Sequence, residues 1–180
     1  MLVTDESQQS PDGLDTRFAE NPIAPCRLTK RLQPSMGEGL RIVIRPSAAQ
    51  APDDLSALGG GARMDAAQAY AQSKLALTMW TRALADRLGA AGPAVIAVNP
   101  GSLLATKMVR EGYGIAGSDV GIGAGILVQT ALGDAFADAS GRYFDNDAGR
   151  FANPHPQAMD AARCRAVVDA IEKVLARLAG

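Results

Sequence analysis

Residues 66–101 read AAQAYAQSKLALTMWTRALADRLGAAGPAVIAVNPG, and this stretch decides the fold. In its first part, side chains recur at alternating steps of four and three residues, the spacing of one helix face: Tyr70, Lys74, Leu77, Thr81, Leu84 and Leu88. Residues 94–99 then form the apolar run of a buried strand, which Pro100 and Gly101 stop. The stretch therefore predicts a long helix followed by a buried strand.

A second strand is predicted upstream of that helix. Residues 40–44 read LRIVI, a short β-branched run between a glycine-rich turn and Pro46, with Ser47 just after it. The following residues, 48–63, contain Pro52 and three successive glycines, which is typical of a loop. Asp65 then stands where a helix N-cap belongs. The order is strand, helix, strand.

The ends of the chain extend this pattern. Residues 1–13 are polar and predict a flexible N-terminal arm, while residues 14–32 have a helical rhythm that prolines interrupt. Residues 119–132 predict a helix, residues 142–144 a short strand and residues 157–178 a closing helix. We therefore expect residues 14–180 to form one α/β domain, a partial Rossmann-like parallel sheet of about three strands with flanking helices.

Composition excludes several classes of function. The net charge is -1, from 18 basic and 19 acidic residues, so the chain lacks the positive excess that nucleic acids attract. Cys26 and Cys164 have no metal-ligand spacing and suggest no disulfide framework. No apolar run approaches the roughly 20 residues that span a bilayer, and the first residues do not resemble a secretory signal. We expect a cytoplasmic protein without metal, nucleic acid or membrane partners.

Tyr70 and Lys74 are the pair that could do chemistry. They lie four residues apart on the predicted helix, so that phenol and ammonium project from the same face. A fixed positive charge nearby favours the ionised phenol, which suits a group that gives and takes protons. By itself, a tyrosine and a lysine at this spacing are more often core and solvated surface than a catalytic pair.

Three segments in order make the pattern more specific. RIVIRPS ends at Ser47, YAQSK spans residues 70–74, and VNPG spans residues 98–101. In this order the segments resemble the short-chain dehydrogenase/reductase family, which has a serine after a strand, Y-x-x-x-K on a long helix and N-P-G after the next strand. The similarity includes DGLDTRFAEN near the start and SGRYFDND near the end.

The resemblance implies a role for each matching residue. Tyr70 would be the general acid or base, Ser47 would polarise the substrate oxygen, and Asn21 would anchor a water in the proton relay. Lys74 would support Tyr70 and hold the ribose hydroxyls of NAD or NADP. The cofactor-binding residues implied are Tyr70, Lys74, Asn99, Pro100, Gly101, Ser102 and Thr106.

The family's N-terminal glycine-rich phosphate loop has no counterpart in this sequence. We therefore expect the truncated, catalytic half of such an oxidoreductase, which moves hydride between NAD(P) and a carbonyl or alcohol substrate and is inactive alone if that loop is essential. The alternative is a non-enzymatic fragment that acts as a folded oligomerisation or interaction module. In either case the strand at residues 40–44 should be an open edge, the helix carrying Tyr70 should expose apolar surface, and a homo-oligomer is expected.

Two short sequence patterns are false leads. Gly112, Gly114 and Gly117 spell the dinucleotide-binding pattern, but no predicted strand directly precedes them. DNDAG at residues 145–149 resembles the start of a calcium loop without its closing glutamate, so a turn is favoured.

Overall fold

The computed structural model describes residues 9–52, 54–61 and 64–179. Helix α1 (Thr16–Phe18) continues through a π-helical turn (Ala19–Ile23) into α2 (Ala24–Leu32) and a 3-10 turn (Gln33–Ser35). The predicted break is confirmed as the π-helical turn, which contains Pro22; proline lacks the N–H that an α-helix needs there. Of the predicted N-terminal arm, residues 1–8 lie outside the described residues.

In the part of the chain that the structure describes, four strands form one sheet. They are β1 (Arg41–Ile44), β2 (Ala94–Asn99), β3 (Tyr143–Asp145) and β4 (Arg150–Ala152), in the order β1-β2-β3-β4. The three predicted strands are neighbours and parallel, as expected. Strand β4 was not predicted and pairs antiparallel with β3, so the sheet has four strands and is mixed. Strand β4 is defined by its pairing with β3, which no local pattern of its own residues reveals.

The remaining helices are α3 (Leu55–Leu58), α4 (Ala66–Leu88), α5 (Lys107–Tyr113), α6 (Val120–Leu132) and α7 (Ala161–Arg177). The Asp65 carboxylate caps α4 by accepting from the Gln68 backbone N–H, as predicted. The closing helix predicted at residues 157–178 is shorter in the structure, because its first residues form a 3-10 turn (Pro156–Met159). Helix α7 begins after Asp160, whose side chain caps the helix N-terminus.

Helix α4 lies between the sheet and α7. Its buried side chains, such as Leu75, Met79 and Leu84, join one core cluster with Val167 and Ile171 of α7. The expectation that α4 exposes apolar surface is therefore wrong: α7 packs against α4, and none of the large apolar side chains of α4 is exposed.

The opposite face of the sheet carries α6 and a second core cluster. The cluster joins Ile96 and Val98 of β2 to Ile126 of α6 and to Phe136. The Arg41 guanidinium of β1 donates to carbonyl groups at the C-terminal end of α6, at 2.7 Å and 3.1 Å. The sheet is thus covered on both faces, as predominantly parallel sheets usually are.

Strand β1 is the edge of this sheet. Among the described strands it pairs with β2 alone, so the predicted open edge is confirmed.

As to the membrane, none of the helices described here is both long enough and apolar enough to cross a bilayer.

Candidate active site

A cavity of about 410 Å³ opens where β1 and β2 end. Every residue that the sequence predicted for the site lines it, although these residues come from α4, the π-helical turn, the end of β2 and several loops. They are Asn21, Ser47, Tyr70, Lys74, Asn99, Pro100, Gly101, Ser102 and Thr106. The carboxyl ends of neighbouring parallel strands share one edge of a sheet, and this is why residues so distant in sequence meet.

Tyr70 and Lys74 lie one turn apart on α4, as their spacing predicted. The Lys74 Nζ is 5.5 Å from the centroid of the Tyr70 ring. It also donates a hydrogen bond of 3.3 Å to the Arg45 backbone carbonyl, just beyond β1. The lysine therefore links α4 to the end of the edge strand.

The Lys74 side chain is buried, with 7% of the residue exposed. Burial, and to a smaller extent the positive charge of Arg45, together lower its pKa from 10.5 to about 8. Arg45 itself is exposed, since β1 ends at Ile44 and the guanidinium does not lie inside the sheet. The amine can consequently lose its proton close to neutral pH.

Asn21 is held against α4 by two successive hydrogen bonds. Its Nδ2 donates to the Ser73 Oγ at 2.9 Å, and the Ser73 hydroxyl donates to the Tyr70 carbonyl at 2.7 Å. Asn21 belongs to the π-helical turn, a distortion that recurs at functional sites. The turn thus brings a polar amide to the helix that carries Tyr70.

Ser47 forms a tight turn after β1. Its Oγ accepts from the Ala49 backbone N–H at 3.1 Å, and its carbonyl accepts from the Tyr143 hydroxyl at 3.4 Å. Burial, together with the Asp145 and Asp147 carboxylates, raises the pKa of Tyr143 far above its ordinary value. Tyr143 is therefore a hydrogen-bond donor to the site's backbone and not an acid for its chemistry.

The turn after β2 is clamped by a residue that the sequence analysis missed. The Asp147 carboxylate accepts from the Asn99 Nδ2 at 2.9 Å, from the Ser102 N–H at 2.8 Å and from the Ser102 hydroxyl at 2.5 Å. Although partial burial opposes it, these hydrogen bonds lower the pKa of Asp147. The Asn99 amide also donates to Asp145, at 2.9 Å. The sequence signal was a pair of acidic residues, Asp145 at the end of β3 and Asp147 just beyond it.

Two further residues of the cavity wall have local structural roles. Gly101 has a φ of 127°, which side-chain-bearing residues rarely adopt, so the turn requires glycine there. Thr106 caps α5 by accepting from the Val109 backbone N–H at 3.4 Å. Arg45 and Glu20 line the same cavity and add a charge of each sign that the sequence analysis did not assign to the site.

The three successive glycines at residues 59–61 and the pattern of Gly112, Gly114 and Gly117 follow no strand directly. Residues 59–61 come after α3, and Gly114 ends α5 in the left-handed conformation. Residues 145–149 include the turn between β3 and β4, as predicted. Within the described residues, no group of three or more His, Cys, Asp or Glu side chains could hold a metal ion.

No protein-family model matches the chain, and no curated protein matches it. Among solved structures, the chain is similar to an uncharacterized protein from Mycobacterium paratuberculosis, with a TM-score of 0.76 and 22% sequence identity. The match covers 97% of this chain and 63% of the other, so the chain spans less than two thirds of that protein's length. At this identity the similarity shows the α/β fold alone.

Proposed function

We propose that the chain carries the catalytic site of an NAD(P)-dependent oxidoreductase similar to the short-chain dehydrogenases/reductases, acting on a carbonyl or alcohol. One observation supports this above all. The nine residues that the resemblance selected from sequence, between Asn21 and Thr106, line a single cavity. A chance match of motifs would not be expected to converge in space.

Each of these residues would have a different role in the reaction, according to its chemistry. In reduction, Tyr70 gives its proton to the carbonyl oxygen, and the Ser47 hydroxyl donates a hydrogen bond to that oxygen as negative charge develops on it. The Lys74 ammonium, held at the Arg45 carbonyl, keeps a positive charge beside the phenol. Asn21 is fixed to α4 through its Nδ2, which leaves its Oδ1 to orient a water.

The residues of the cavity would suit one end of such a cofactor. The Lys74 ammonium would suit the ribose, and the backbone groups of the turn at residues 99–102 would suit the nicotinamide. The nicotinamide would supply the hydride when bound. A diphosphate needs backbone N–H groups at a glycine-rich turn between a strand and a helix N-terminus. The described residues provide no such turn, so only the nicotinamide ribose end has matching residues.

The decisive experiment therefore uses a cofactor without the adenosine diphosphate. Reduced nicotinamide mononucleotide, NADH and NADPH are each incubated with the chain and a panel of aldehydes and ketones, and loss of nicotinamide absorbance is followed. We expect carbonyl-dependent oxidation that Tyr70→Phe abolishes, because the substitution removes a proton donor and little volume. Turnover that survives Tyr70→Phe, or no turnover with any of the three, rejects the proposal.

A second candidate function is an oligomerisation or interaction module. One observation favours it: four large apolar side chains of α6 are exposed, namely Val120, Ile122, Val128 and Leu132, the last to 78%. An exposed apolar surface of this kind marks interfaces more often than ordinary surface. Sedimentation at micromolar concentration tests it: an oligomer that Leu132→Glu dissociates is expected, whereas a monomer at all concentrations rejects it.

A further inference from the structure

Lys74 has an environment unusual for a lysine. It lines two adjoining cavities, of about 410 Å³ and about 490 Å³, and its ammonium has no ion pair with a carboxylate in the described part of the chain. Four other charged or titratable side chains line these cavities: Glu20 from the π-helical turn, Arg41 and Arg45 from β1 and its end, and Tyr70 from α4. Three of the five groups are thus cationic when protonated.

We propose that Lys74 is a nucleophilic amine that captures oxo acids, aldehydes or ketones that carry a carboxylate, as a reversible imine in this cavity. A lysine becomes nucleophilic when it is desolvated and lies close to another cation, and Lys74 meets both conditions. At pH 7 its neutral fraction exceeds that of an ordinary lysine on the order of 100-fold, from the difference between about 8 and 10.5 in pKa.

The carboxylate preference follows from Arg45. Its guanidinium is exposed, lines both cavities and makes no ion pair with any carboxylate in the described residues. An Arg head group binds a carboxylate through paired hydrogen bonds. A ligand carbonyl at Lys74 with a carboxylate at Arg45 would therefore meet complementary groups at both ends.

The covalent step balances without any redox partner. The Lys74 nitrogen lone pair forms a bond to the carbonyl carbon, and the carbonyl oxygen takes up protons, in part from the nearby Tyr70 hydroxyl, and leaves as water. The nitrogen loses its protons to solvent, and hydrolysis reverses the reaction. Imine formation at Lys74 involves no nicotinamide, so its test is independent of the hydride-transfer proposal.

The test uses glyoxylate as probe and borohydride to reduce the imine to a stable carboxymethyl amine. The chain has four lysines, Lys30, Lys74, Lys107 and Lys173, so peptide mass spectrometry assigns the label unambiguously. Lys107 and Lys173 are exposed and serve as internal controls. We expect Lys74 to be labelled at least about tenfold faster than either at pH 7, with a rate that rises with pH to a plateau above about 8.

Two variants separate the parts of the proposal. Lys74→Arg should remove the fast label and leave the slow ones, with circular dichroism confirming the fold. Arg45→Gln should slow labelling by glyoxylate at least about fivefold more than labelling by propanal, which lacks a carboxylate. Labelling of Lys74 no faster than of Lys107 overturns the nucleophile, and equal slowing of both probes overturns the oxo-acid preference.

Discussion

Replacing Lys74 by methionine should make the folded chain more stable at pH 7. The folded state lowers the pKa of Lys74 from 10.5 to about 8, chiefly by burial and also through Arg45. Because each pKa unit corresponds to about 1.4 kcal/mol, keeping this lysine charged costs the folded state about 3 kcal/mol. Methionine has a similar shape but forfeits the hydrogen bond to the Arg45 carbonyl, worth about 1 kcal/mol. The net gain is about 2 kcal/mol.

The gain should depend on pH in a defined direction. Below about pH 8 the lysine is charged in both the folded and unfolded chain, so the wild type carries the full cost. Between about 8 and 10.5 the unfolded chain binds more protons than the folded one, and wild-type stability rises relative to the variant. Above 10.5 both states are neutral and the gain disappears.

Urea denaturation of both proteins at pH 7 and pH 10.5 measures this difference, with Lys107→Met as the control. The Lys107 side chain is 78% exposed, so its replacement should change the free energy of unfolding by less than about 0.5 kcal/mol. The reasoning is refuted if Lys74→Met destabilises the chain at pH 7, or if its gain is the same at both pH values.

Three other predictions follow from the site and its supports. The chain should bind NADH and NADPH poorly, because no described turn is suited to their diphosphate; titration followed by nicotinamide fluorescence would contradict this if it gave micromolar affinity. Asp147→Ala should destabilise the chain by about 1 kcal/mol and release the turn at residues 99–102, because Asn99 and Ser102 lose a charged acceptor; unchanged amide exchange at Ser102 would argue against the clamp. Gly101→Ala should cost about 1 kcal/mol in thermal unfolding, since its φ of 127° disfavours a side chain, and a neutral effect would show that the turn relaxes easily.

Local sequence determined much of the fold. The helix face from Tyr70 to Leu88 and the run at residues 94–99 predicted α4 and β2 closely, since periodicity, an N-cap and a terminating proline all act within a few residues. The same local signals located β1 within one residue and predicted the break in the N-terminal helix. The residues that line the cavity were selected differently, by the motifs that carry the family resemblance.

Tertiary structure alone decided the remainder. Strand β4 exists because β3 offers a partner, and α7 covers α4 through side chains that lie about 90 residues further along the chain. The pKa of Lys74 depends on how deeply α4 is buried and on Arg45, 29 residues away, while Asp147 reaches Ser102 across 45 residues. Burial, electrostatic coupling and clamping are properties of groups brought together in space, and no short window of sequence contains both partners.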